Sequence, residues 1–125
     1  MVLLESDYGH VGPGWRPILE ALDEQIEGIL GKSEAKSFLR VLQVKEKFGG
    51  LRFYFKTEGV SPEDNRRIQD AVFFAEKMSF KMCEECGGLD IEVRHQKNQK
   101  FGWVKTLCMR HHALRDAGKR LYTMR

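Results

Sequence analysis

The feature that most constrains this chain is the placement of three cysteines and a histidine. Cys83-Glu-Glu-Cys86-Gly87 is followed, after 21 intervening residues, by Cys108-Met-Arg-His111. The pattern C-x2-C-x21-C-x2-H reads as two half-sites. In each, two donors spaced by two residues on a turn can point at one ion, and Gly87 lets the backbone fold under the first pair. Facing one another, the half-sites supply four soft or borderline donors in a tetrahedron, with every coordination position filled by protein. Thiolates select zinc over magnesium or calcium. The expected cofactor is therefore one structural Zn2+ held by Cys83, Cys86, Cys108 and His111. His112 is adjacent, and C-x3-H is also a workable spacing. His111 is preferred because it mirrors the first half-site, which leaves His112 to project outward to solvent or a ligand. A redox dithiol would want Cys83 and Cys86 at a helix start in a thioredoxin-like setting, which the flanking residues do not offer. Three cysteines cannot all pair with one another, so no disulfide framework is expected.

The segment around these donors needs such a tie. From Met82 onward aliphatic residues are scarce and Gly and basic residues frequent, too little apolar surface to close a core alone. Metal binding then becomes folding free energy. Ile91 and Val93 predict one short strand, Trp103, Val104 and Leu107 another, and residues 109–121 a short helix.

Upstream the periodicities are stronger. Residues 9–14 have no period and read as a flexible lead-in. Pro17 suits a first helical turn, and Ile18, Leu19, Leu22, Ile26, Ile29 and Leu30 recur at helical spacing. Glu20, Asp23, Glu24 and Glu27 take the outer face, and Gly31 is expected just past the end. Residues 38–57 read as a hairpin in which Leu51, Phe53 and Phe55 alternate with Arg52, Tyr54 and Lys56, with Gly49-Gly50 as the turn. Ser61, Pro62 and Asp64 cap a helix running to about Phe80. Its stripe is Ile68, Val72, Ala75 and Met78, widened by Ala71 and Phe74. The expected fold is α+β. Residues 1–81 form a core of a β-hairpin packed with two amphipathic helices. Residues 82–125 form a zinc-ribbon or knuckle-like basic module packed on that core and ending in a short helix.

Charge adds a candidate surface. The net charge of +3 conceals two poles. Residues 1–30 carry six acids against Arg16 alone, a net of −5, and residues 93–125 carry nine bases against Asp116 alone, a net of +8. The basic pole coincides with the cysteine-bearing module, as expected of a polyanion-binding face. Its candidates are Arg94, Lys97, Lys100, Lys105, Arg110, Arg115, Lys119 and Arg120. Phe101, Trp103 and Tyr122 are interleaved with them, an arrangement suited to stacking, although packing beneath the metal site is the preferred reading of Trp103. A solvated surface is the competing reading of the charge. No apolar run approaches a membrane span, and the first residues lack the basic and apolar regions of a signal peptide.

Several blocks carry a resemblance. Gly14-Trp-Arg-Pro-Ile18, Gln43-Val-Lys-Glu-Lys-Phe-Gly-Gly-Leu-Arg-Phe-Tyr54, Cys83-x-x-Cys86-Gly87 and Trp103-x-x-Thr-Leu-Cys-x-x-His111 together resemble a group of small zinc-binding proteins of bacteriophage and prophage genomes. The resemblance implies a metal, Cys108-x-x-His111 as its second half-site, and the cytoplasm of a bacterial host. It implies no particular activity, and His112 and residues 115–125 have no place in its pattern. The cysteine pairs also resemble, more weakly, zinc-bearing HNH nucleases, which would make His95 a general base. Val93-Arg94-His95-Gln96 stands where those enzymes carry an acidic-His-His stretch, and the gap to Cys108 is short for their site.

No nucleophile turn, phosphate-cradling loop or dinucleotide fingerprint is present. The expected function is thus a non-catalytic, zinc-stabilised protein binding nucleic acid, or a nucleic-acid-associated host complex, through its basic C-terminal face. Alternatives are a protein-binding inhibitor of a host machine and a degenerate HNH-like nuclease.

Overall fold

The computed structural model describes residues 2–31, 37–95, 104–119 and 121, with residues 92–95 as backbone only. A short helix, α1 (Glu5–Tyr8), leads through a 3-10 turn (Pro13–Trp15) into α2 (Arg16–Leu30). Strands β1 (Phe38–Lys47) and β2 (Gly50–Glu58) precede α3 (Pro62–Ser79). Strands β3 (Ile91–His95) and β4 (Val104–Cys108) and helix α4 (Met109–Asp116) complete the order. The α+β class and the antiparallel hairpin are as the sequence predicts.

Leu51, Phe53 and Leu39 face inward from the ribbon and meet Ile18, Leu19, Leu22 and Ile26 of α2 and Ile68, Val72 and Ala75 of α3. Helix α3 lies along the open edge of β2. There the Leu51 N–H donates to Ser79 Oγ and the Phe53 N–H to Glu76 Oε2, both at 2.9 Å, so these two edge donors are occupied by the helix. Ser61 caps α3, its hydroxyl accepting from the Asp64 N–H at 3.1 Å.

Some local expectations change. The hairpin turn is Phe48-Gly49, because Lys47 pairs with Gly50; both turn residues carry the positive φ that a two-residue turn demands, 53° and 83°. Gly50 is needed for a different reason: a Cβ there would lie 2.2 Å from the Phe80 ring. Gly31 ends α2 in right-handed geometry, φ −65°. Phe74 lies on the outer side of α3, 61% exposed, and Ser79 takes the buried place at the helix end. Asp23, assigned to the solvent face of α2, is buried because its carboxylate accepts the Val2 N–H at 2.8 Å.

The second core is small. Cys83, Leu107 and Leu121 are buried with Ile91, Cys108 and Leu114 packed against them. So few apolar groups cannot order strands β3 and β4 and helix α4 unaided. Among the described residues no helix is long and apolar enough to cross a membrane.

Candidate metal centre

Cys83 and Cys86 sit on a tight turn after α3. The Gly87 N–H closes it on the Cys83 carbonyl at 2.7 Å, Gly87 adopts φ +79°, and the Cys83 N–H donates to the Gly88 carbonyl at 2.8 Å. The Gly88 N–H points at Cys86 Sγ at 3.4 Å. The second pair is built differently from the two facing turns the spacing suggests. Cys108 ends β4 and is the N-cap of α4, and His111 lies in that helix's first turn. The antiparallel β3–β4 pair, Ile91 opposite Cys108, carries the chain from one pair to the other.

The four donor atoms lie within 4.8 Å of one another. Cys86 Sγ and Cys108 Sγ are 3.8 Å apart, and His111 Nδ1 is 3.2 Å from Cys108 Sγ and 3.6 Å from Cys83 Sγ. A tetrahedral ion with metal–sulfur bonds of about 2.3 Å and a metal–nitrogen bond of about 2.0 Å requires edges of roughly 3.8 and 3.5 Å. The donors therefore fit a single metal ion. Cys83 is fully buried and Cys86 stands at the exposed rim. Burial pushes the Cys83 thiol up to about 11, so its proton must be displaced by the metal rather than lost to solvent. At Cys108 desolvation acts in the same sense. It is outweighed by the backbone N–H groups of His111 and Arg110 at the helix start and by the neighbouring Cys86 and Cys83 side chains, which together hold the thiol below its ordinary value.

What the sequence reading missed is the platform beneath the first pair. Residues 9–14 read as a flexible lead-in, yet Val11, Gly12 and Gly14 are buried and Trp15 is 0% exposed. The Gly14 N–H donates to the Glu84 carbonyl at 2.7 Å, the Gly12 N–H to Glu84 Oε2 at 3.0 Å, and Trp15 Nε1–H to the Met82 carbonyl at 2.9 Å. A Cβ on Gly14 would fall 2.1 Å from the Cys83 carbonyl oxygen and 2.7 Å from the Cys86 nitrogen. The glycines of Gly12-Pro-Gly-Trp15 are thus a signal of close backbone approach rather than of looseness. The turn's other side is pinned by the Glu84 N–H on the Thr106 carbonyl, and Thr106 Oγ1 donates to the Gly49 carbonyl at the ribbon tip, 2.6 Å.

The expected basic face is altered by this packing. Lys105 is buried, its ammonium held between Glu46, at 2.5 Å, and Glu84, at 3.4 Å. Burial raises the Glu84 carboxyl, and Lys105 opposes that rise. Arg115, at 2% exposure, lies on the inner side of α4. Neither charge stands at the surface, and Lys105 ties β4 to the ribbon through Glu46. Arg110 and Lys119 are exposed as expected. Lys97, Lys100 and Arg120, with the aromatic candidates Phe101, Trp103 and Tyr122, lie outside the described residues, as do the side chains of Arg94 and His95. His112, expected to project outward, is 1% exposed on the buried side of α4. No family model, curated protein or solved structure matches the chain.

Proposed function

We propose that this chain is a non-catalytic, zinc-stabilised protein of a phage-infected bacterial cell. It binds nucleic acid, or a nucleic-acid-associated host complex, through the exposed cations of its C-terminal module. The observation that carries the reading is the closed donor set. The donor atoms of Cys83, Cys86, Cys108 and His111 lie within 4.8 Å of one another, and three thiolates with one imidazole are donors zinc prefers. Four protein ligands leave no coordination position for water or substrate, so zinc would supply folding energy rather than a reaction centre. Arg94, Lys97, Lys100, Arg110, Lys119 and Arg120 remain as the module's candidates for phosphate contact, Lys105 and Arg115 being engaged within the fold.

Gel-shift titration of a DNA duplex at two salt concentrations, with and without magnesium, tests this reading. Retention that weakens with salt is the expected result. Failure to retain any nucleic acid, with capture of a nuclease-resistant protein partner, would replace it with the inhibitor reading. Magnesium-dependent cleavage lost in His95→Ala would replace it with the nuclease reading.

A further inference from the structure

We infer that the solvent-facing side of the β1–β2 ribbon docks duplex DNA, its two rows of cations gripping the phosphates that border one groove. The inference rests on the nucleic-acid reading above and names a surface that lies outside the C-terminal module. In the linear sequence its charges are dispersed among apolar residues. The register brings them onto one face.

Arg40 stands opposite Lys56, Gln43 opposite Tyr54, Lys45 opposite Arg52, and Lys47 opposite Gly50 at the tip. The alternate residues Leu39, Val44, Leu51 and Phe53 are buried, so the cations share the outer side. The bulge between Val41 and Gln43 is what brings Arg40 and Lys45 onto that side together, because it inserts one residue, Leu42, into the alternation. Five cations therefore cover the ribbon around a central Tyr54, 42% exposed. Among the described residues none of the five enters an ion pair.

Two observations argue that this face is more than a solvated surface. Like charges directly opposite one another in an antiparallel pair destabilise it, and here that cost is incurred twice, at Arg40/Lys56 and Lys45/Arg52. Moreover, the acid that would break up the positive field has been removed from it. Glu46, between Lys45 and Lys47, turns under the ribbon to accept from Lys105 and from the Gly49 N–H. Glu58, opposite Phe38, stands at the far end.

Duplex DNA suits this arrangement. The strands of a ribbon are about 5 Å apart. With long side chains on each it fits a major groove about 12 Å wide, a phosphate row on either side. A single strand would call for several exposed aromatics on which bases could stack. Tyr54, in the middle of this face, stands four to five residues along the ribbon from the exposed Phe38 at its far end and the exposed Phe48 at its tip, roughly 13–16 Å at about 3.3 Å per residue and too far apart for successive bases to stack.

The test compares three forms of the zinc-loaded full chain by fluorescence anisotropy on a duplex of about two helical turns. They are the wild type, a ribbon variant (Arg40→Gln, Lys45→Gln, Arg52→Gln, Lys56→Gln) and a module variant (Lys97→Gln, Lys100→Gln, Arg110→Gln, Lys119→Gln). Each phosphate contact adds about 0.9 to the log–log salt slope, so removing four should make the ribbon variant's slope shallower than wild type by about 3.6, cutting the affinity lost between about 50 and 200 mM salt by about 150-fold. The ribbon variant should keep its zinc and melt no lower than wild type, since the like-charge pairs are gone. Should the fourfold variant lose cooperative melting, Lys45→Gln/Arg52→Gln gives the same reading, a slope shallower by about 1.8. A folded ribbon variant with the wild-type slope overturns the inference, and loss confined to the module variant overturns it while sparing the proposed function. Tighter binding of single-stranded DNA or RNA than of duplex overturns the choice of partner. Wild-type protein that binds no nucleic acid at either salt concentration overturns both.

Discussion

Gly14→Ala should loosen the metal centre although Gly14 contributes no ligand. The added Cβ would stand 2.1 Å from the Cys83 carbonyl oxygen, 2.4 Å from the Gly87 nitrogen and 2.7 Å from the Cys86 nitrogen. All three are backbone atoms of the turn that presents two donors, so no side chain can swing aside. The turn must separate from residues 12–15, which breaks the Gly14–Glu84 and Gly12–Glu84 hydrogen bonds and the Trp15–Met82 bond. At about 1 kcal/mol each, the three amount to about 3 kcal/mol. For 125 residues, at about 4 °C per kcal/mol, the melting temperature should fall by about 12 °C. Because metal binding and docking of the turn are linked, the apparent zinc affinity should weaken by about 100-fold. Thermal melting and competition with a chromophoric chelator read the two effects. The control is Gly28→Ala, in the last turn of α2 with nothing within 4 Å of its Cβ, which should stabilise by about 0.4–1 kcal/mol. A Gly14→Ala protein with wild-type melting and zinc affinity would refute the claim that residues 12–15 are the platform of the metal site.

Four further outcomes are expected. By elemental analysis, His111→Ala and Cys108→Ser should lose zinc and open the module to protease, whereas His112→Ala should retain zinc while lowering the melting temperature, its ring being buried. Lys105→Met leaves the Glu46 and Glu84 carboxylates without their shared cation and should cost about 3–5 kcal/mol in denaturant titration; near-wild-type stability would show that the pair is not a joint between module and core. Phe53→Ala, at a buried site, should cost about 3–5 kcal/mol and Phe74→Ser, at an exposed one, no more than about 0.5 kcal/mol, so equal losses would contradict the helix orientation. Phe48→Asn should stabilise by about 1 kcal/mol, because an exposed Phe is held at φ 53° where Asn is tolerated, and a lower melting temperature would mean that the Phe48 ring matters to the fold.

Features set by neighbours in sequence were legible without the fold. Ser61-Pro62 began α3, the alternation of Leu51, Phe53 and Phe55 announced β2, and the cysteine and histidine spacings named the donors that the structure brings together. These are consequences of helix and strand periods and of a turn's reach, all acting over a few residues. Charge patterning failed wherever a distant partner decided the outcome. Lys105 looked like a surface cation until Glu46, 59 residues away, enclosed it, and Gly12 looked like part of a linker until Glu84, 72 residues away, accepted its N–H. Arg40, Lys45, Arg52 and Lys56 became one surface only through the bulge and the strand register. A side chain's type and local period limit what it can do, but burial and pairing depend on which surfaces the closed chain brings together. That choice is made by the summed packing of the whole core, not by any window of its sequence.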